Sequence, residues 1–345
     1  MTIDYSGQIT MIVRDTLIKL LVLIPLSLTI GTTTAQYKSW EAGVLFGASN
    51  YLGDIGQGLK ATPFIGNLQW KHTKPGFNFL LRYHPTNNLS IRGNLILGFL
   101  KADDRLSLSY DRRYIRNASF RTNLYEVSLQ GEYNILRRKI AIKPKDQGFK
   151  KGIRASSKAA RKCPTPGSGN IQHEMIFYIF GGIGGFHFDP ESQYKGEWYK
   201  LQPLGTEGQG LPEYGTELYS LYQVSIPMGI GFYYYAPNLR YKIGYEIGWR
   251  KTFTDYIDDV GGEFADPEII REARGNIAAA FANRTAEVSN NPDLDLLYSR
   301  PGNLRGQSKN DDSYFVMGIT FTFVLSKYKI QIPKYRHDKF QLFGF

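Results

Sequence analysis

Residues 239–250, LRYKIGYEIGWR, decide how this chain folds. In an extended chain Leu239, Tyr241, Ile243, Tyr245, Ile247 and Trp249 face one way. Arg240, Lys242, Gly244, Glu246, Gly248 and Arg250 face the other. A period of two is the mark of a strand with an apolar medium on one side and a polar one on the other. Residues 125–135, 224–234, 315–325, 89–99 and 77–83 repeat the pattern. Two Gly-rich apolar segments, 41–49 and 175–188, complete a predicted set of eight strands. Several exceed the ~5–6 residues usual in soluble sheets and approach the ~9–11 that cross a bilayer. An even number of such strands suits a barrel, and in lipid the sheet must close, because an open edge would leave backbone groups unpaired.

Connections alternate in length. Residues 84–88 (HPTNN) and 236–238 (APN) are short, whereas 50–76, 101–121, 188–216 and 254–311 are long. Short turns on one side and long loops on the other are expected of an outer-membrane barrel, with the short turns in the periplasm. The connection 137–172 falls on the short-turn side and is nevertheless long. The last long loop carries a predicted helix: Asp266 as N-cap, Pro267 at the first position, and Ile269, Ile270, Ala273, Ile277 and Phe281 at helical spacing.

The first 35 residues fit a secretory signal peptide, with Arg14 and Lys19 before the apolar run 20–30 and small residues 33–35 at a cleavage point. Its eleven-residue apolar run, broken by Pro25, is shorter than the ~20 residues a spanning helix needs. The expected mature chain is one barrel domain over 36–345. Its 24 Tyr, 21 Phe and 4 Trp suit rings placed at membrane–water boundaries. The lone Cys163 excludes an internal disulfide and argues against a Cys-based zinc site.

Charge is concentrated. Residues 137–162 hold eleven Lys and Arg against Asp146 alone, a local +10 beside a net +11 for the whole chain. The basic insertion 137–172 and the tail 326–345 are therefore expected on the periplasmic side, with Arg137, Lys151, Arg161, Tyr335 and Phe345 as candidate contacts. An anionic lipid surface, an acidic periplasmic protein and a merely solvated insertion all fit. Nucleic acid does not, given the export signal and the lack of interleaved aromatics.

The inward faces carry Arg82, Arg92, Glu126, Glu132, Glu246 and Arg250. Eight strands enclose a lumen that side chains just fill, and buried charges must pair. An internal salt-bridge network without a wide pore is expected. No catalytic, metal or cofactor motif is found among the five His, and the Gly-rich run 181–185 fits close strand contact better than phosphate binding. Asp255, Asp258 and Asp259 could draw a divalent cation, but a solvated loop or pairing with Arg250 and Lys251 is the favoured expectation.

Several segments resemble the PorG family of outer-membrane barrels in the type IX secretion system. They are 41–55 (EAGVLFGASNYLGDI), 123–133 (NLYEVSLQGEY), 186–190 (FHFDP), 198–210 (WYKLQPLGTEGQG), 223–231 (QVSIPMGIG), 246–260 (EIGWRKTFTDYIDDV) and 313–323. LQPLGTEGQG and RKTFTDYIDDV are the specific stretches. The resemblance implies a non-catalytic barrel associated with a periplasmic ring made of a PorK-like lipoprotein and a PorN-like partner. The basic insertion is longer than that family implies at this turn. A small transport or ligand-binding barrel is the alternative. A membrane hydrolase would need a His converging with Ser or Asp at the outer rim, and the sequence assembles none.

Overall fold

Each alternating segment pairs with the segments next to it in sequence, and the first also pairs with the last. The computed structural model describes residues 39–56, 70–107, 112–141, 172–235, 240–288, 297–307 and 311–325. Its strands are β1 (Ser39–Leu52), β2 (Lys74–His84), β3 (Leu89–Asp103), β4 (Ser119–Ala141), β5 (Gln172–His187), β6 (Glu191–Tyr194), β7 (Glu197–Lys200), β8 (Tyr222–Tyr235), β9 (Tyr241–Thr252) and β10 (Ser313–Val324). All pairings are antiparallel, and the sheet closes where β1 meets β10 and β3 meets β4. The fold is thus a closed eight-stranded antiparallel barrel of β1–β5 and β8–β10. All eight predicted strands are present.

The barrel is inside-out relative to a soluble one. Phe46, Phe79, Leu95, Val127, Ile183, Ile230 and Phe321 are exposed on its outer face, while Glu41, Arg82, Arg92, Asn94, Gln130 and Glu246 are buried within. This is the arrangement a barrel in lipid requires. Aromatic rings mark both ends of the apolar belt. Trp40 packs on Tyr83 at 4.8 Å by the short turns, and His187 lies between Tyr125 (6.3 Å) and Tyr222 (4.6 Å) by the long loops.

The seam depends on missing side chains. Gly47 pairs with Gly318, and a Cβ on Gly47 would lie 1.9 Å from the Met317 carbonyl oxygen. The Gly-rich run in β5 is close strand contact of the same kind, since a Cβ on Gly182 would lie 2.1 Å from the Leu129 oxygen.

The long connections close over one end of the barrel. They contain a short helix α1 (Arg112–Arg116) and a longer α2 (Pro267–Ala282). Phe188, Leu201, Tyr219, Ile257, Val260 and Phe281 pack there against inward residues Leu45, Ile96, Leu124 and Val316. Helix α2 starts as expected: Asp266 accepts a hydrogen bond from the Glu268 N–H, and Pro267 follows it. Its buried face departs from the expected one. Ile270, Ala278, Ala279, Phe281 and Ala282 are buried, Ala273 is exposed, and Gly275 at φ 88° interrupts the helix.

Two further differences concern length. The 188–216 connection, expected as open loop, forms the β6–β7 hairpin, joined to the outer end of β4 through Arg121 and Glu191. The insertion expected over 137–172 begins and ends as strand, since β4 runs to Ala141 and β5 starts at Gln172.

Candidate functional site

Period-two geometry puts all six charged residues expected in the lumen there, and all six are almost wholly buried. Arg82 Nε lies 2.7 Å from Glu132 Oε2, and Arg92 Nη1 lies 2.9 Å from Glu132 Oε1. Arg92 Nη1 also donates to Glu246 Oε2 at 2.5 Å. Arg250 Nε is 3.4 Å from Glu126 Oε2, which also accepts from Tyr314 Oη at 2.7 Å. Gln130 Oε1 takes two further hydrogen bonds from Arg92, at 3.0 and 2.6 Å. Such a network occupies the cross-section and compensates each charge, as burial demands.

Two members escaped the sequence reading. Glu41 meets Lys242 Nζ at 2.5 Å and Arg82 Nη1 at 3.1 Å. Lys242 stood on the polar face of the 239–250 strand. Glu41 opens a Gly-rich strand with little alternation to fix its side.

A third unforeseen grouping lies at the short-turn end. Ser90 Oγ is 2.7 Å from His84 Nδ1, and His84 Nε2 is 2.9 Å from Glu41 Oε1. The row has the residue types of a hydrolase triad. Ser90 is 1% exposed, however, and Glu41 is already matched by two cations. A nucleophile must be reachable and its base free to take a proton, so this row acts as a buried brace.

At the long-loop end a second polar cluster holds the cap together. Arg116 donates to Asp104 Oδ2 (2.7 Å) and to the carbonyls of Asp54 (2.8 Å) and Arg305 (2.6 Å). Arg305 in turn donates to Thr206 Oγ1 (2.8 Å), Glu207 Oε1 (3.1 Å) and the Asp259 carbonyl (2.9 Å). Thr206 Oγ1 donates to Asp259 Oδ2 at 2.6 Å, and Glu207 Oε2 accepts from the Gly262 N–H at 2.9 Å. The LQPLGTEGQG and RKTFTDYIDDV stretches are thereby in direct contact, through residues 53 positions apart.

The acidic cluster is not the solvated loop expected. Asp258 and Asp259 are fully buried, Lys251 pairs with Asp311 (2.6 Å), and Arg250 pairs inside the barrel. The loop folds inward because partners supplied by 206, 219, 51 and 305 offset the burial. Tyr51 Oη lies 2.5 Å from Asp258 Oδ2 and 2.6 Å from Asp312 Oδ1, and it also accepts from the Asp54 N–H at 3.0 Å. A phenol has one proton to give, so two carboxylates at that distance require one of them to be protonated. Asp258 accepts two backbone N–H bonds, from Ile55 and Val260, against one from Ile257 to Asp312. The proton therefore belongs on Asp312. Burial, then Asp54, pushes Asp258 up to about 8, and burial with the Asp54 and Asp258 charges pushes Asp255 up to about 9. Among the described residues, no three His, Cys, Asp or Glu side chains are placed to share a metal ion, so the cation alternative gains no geometric support.

Of the candidate periplasmic contacts, Arg137 sits exposed on β4, 3.3 Å from Glu174 Oε2, and donates to the Asn87 carbonyl at 3.0 Å. Lys151, Arg161, Tyr335 and Phe345 lie outside the described residues, as do the expected signal peptide, Cys163 and the tail.

Residues 17–143 match a family model described as a domain of unknown function, DUF6089. The matched stretch includes all of β1, β2, β3 and β4. No curated protein matches the chain. Among solved structures, the chain is similar to Ail, the attachment invasion locus protein of Yersinia pestis, in complex with the heparin analogue sucrose octasulfate. The identity is 11%, the alignment covers 83% of this chain and 99% of Ail, and the TM-score is 0.29. The N-terminal β-barrel domain of Pseudomonas aeruginosa OprF gives 7% identity, 84% and 100% coverage, and a TM-score of 0.29.

Proposed function

We propose that this protein is a non-catalytic outer-membrane component of the type IX secretion machinery that anchors the periplasmic ring to the membrane. The observation that carries the reading is the meeting of the LQPLGTEGQG and RKTFTDYIDDV stretches through Thr206 and Asp259. Both stretches resemble PorG, and both serve one buried cluster, so the resemblance covers a structural unit rather than scattered words. The apolar outer belt and paired lumen charges support a barrel that holds position in lipid. A single acyl chain on a ring lipoprotein gives only marginal membrane binding, and an integral barrel among such chains would fix the ring firmly. Transport or ligand binding in the lumen is disfavoured by Arg82, Arg92 and Arg250, which fill it with almost no solvent contact.

The test is co-purification of the tagged, full-length protein from outer membranes with the PorK-like and PorN-like ring proteins, alongside a deletion strain assayed for export of secreted cargo. Ring proteins in the eluate and blocked export are expected. Recovery of the protein in the soluble periplasm, or unimpaired export in the deletion strain, overturns the proposal.

A further inference from the structure

On β4 the alternation of buried and exposed residues holds from Phe120 to Asn134 and then stops; residues 135–140 are all exposed. The reason is positional. On one side β4 continues beside β5, with Leu136 opposite Phe177 and Ala141 opposite Gln172. On the other side β3 ends at Leu89, opposite Tyr133, and the turn reaches one residue further through the Asn134 N–H to the Asn88 carbonyl. Among the described residues no strand pairs with the outer edge of β4 over residues 135–141. The β4–β5 register shifts between Asn134 and Leu136 at that point.

Tyr133 is exposed at the aromatic end of the belt, so the residues beyond it leave the apolar layer. At ~3.3 Å per residue, the strand runs about 25 Å beyond Tyr133. That ribbon presents Ile135 (57% exposed) and Leu136 (49%) beside Arg137, Arg138 and Lys139. An unpaired edge is a template for another strand, and an added strand takes affinity from backbone bonds and specificity from side chains.

We infer that the edge of β4 over residues 135–141 is a strand-addition site for an extended, acidic segment of a periplasmic ring protein, an inference that rests on the anchoring function proposed above. Arg138 and Lys139 set the sign of the partner, since Arg137 already faces Glu174 at 3.3 Å, and the exposed isoleucine and leucine set its apolar contacts. Lipid head groups could answer the cations but cannot supply a ladder of backbone bonds, so a protein strand is the occupant that satisfies both features.

The test uses the full-length protein in nanodiscs of zwitterionic lipid only, with the purified PorK-like and PorN-like complex as probe. Three variants are compared: a combined Arg137→Glu, Arg138→Glu and Lys139→Glu, and the single changes Arg138→Pro and Lys139→Pro. Neighbouring residues point their N–H groups to opposite edges, so one of the two prolines removes an outward donor. At least about tenfold weaker ring binding is expected from charge reversal and from that proline, in barrels that remain heat-modifiable on gels. Wild-type binding that survives both changes overturns this inference and leaves the anchoring function standing. No binding by the wild type overturns both. Loss on charge reversal but not with either proline overturns strand addition in favour of a plain electrostatic contact. A charge-reversal effect seen only on vesicles with anionic lipid assigns the edge to the membrane surface instead.

Discussion

Arg92 and Glu246 meet through two hydrogen bonds, 2.5 and 2.9 Å long, from strands on opposite walls of the barrel. The pair crosses the lumen and carries Glu132 and Gln130 with it. Replacing Arg92 with Met would leave Glu132 and Glu246 with less compensation. Breaking such a buried pair from one side costs roughly 3–5 kcal/mol. The expected outcome is a lower urea midpoint by tryptophan fluorescence in detergent. Adding Glu246→Gln to Arg92→Met should recover part of the loss, and an unchanged midpoint in the single variant would show that the pair is not coupled to folding.

The cap should respond to pH. Asp258 and Asp255 are held above their ordinary range, at about 8 and about 9, and Asp312 is raised as well. A carboxyl group whose folded pKa is raised stabilises the fold below its unfolded pKa of ~3.9 and loses that contribution as pH climbs through the folded value. Asp54, Glu207 and Asp311 add like charge, while Arg116 opposes it. Limited proteolysis of the long loops should therefore quicken between pH 5 and about 9, with the barrel strands still protected. Asp312→Asn keeps a neutral group beside Tyr51 and should flatten that dependence. A profile as steep as wild type would place the proton elsewhere.

Arg274 ties helix α2 to the loop before β8. Arg274 donates to the Leu204 and Gln209 carbonyls, and a Cβ on Gly205, itself at φ 51°, would lie 1.5 Å from Arg274 Nη1. Gly205→Val combines a backbone penalty with displacement of that guanidinium. Faster hydrogen exchange over residues 267–282, with normal barrel insertion, is the expected result. Exchange at the wild-type rate would mean that the apolar contacts of Ile270 and Ala278 hold the helix by themselves.

Gly47 and Gly318 allow β1 and β10 to close. A Cβ on Gly318 would lie 2.4 Å from the Phe46 oxygen, a backbone atom that cannot step aside. Gly318→Val should reduce the heat-modifiable fraction on gels. Gly93→Ala, with nothing within 4 Å of its added carbon, is the matched control and should behave as wild type.

The barrel wall was legible because a period of two assigns every residue to a face, so Arg82, Arg92 and Glu246 could be placed inside before any contact was known. Glu41 was not, since its strand alternates weakly. The cap was hidden for a different reason. Asp258 is buried because Tyr51, 207 positions away in sequence, supplies a hydroxyl, and Asp259 because Tyr219 and Thr206 do. Polar loops look solvated until their distant partners are known. Within α2 Ile270 and Phe281 are buried as their spacing suggests, but the sequence carries no sign that Gly275 adopts φ 88°.

The pairing of β1 with β10 joins the first described strand to the last. Contacts so far apart along the chain form slowly, because the loop between them must be ordered before they contribute. Until β10 arrives, β1 has an open flank, and so has every partial sheet built on it. Chains at that stage are exposed to one another through those flanks. Circular closure thus carries a kinetic liability: the molecule is protected only once it is finished.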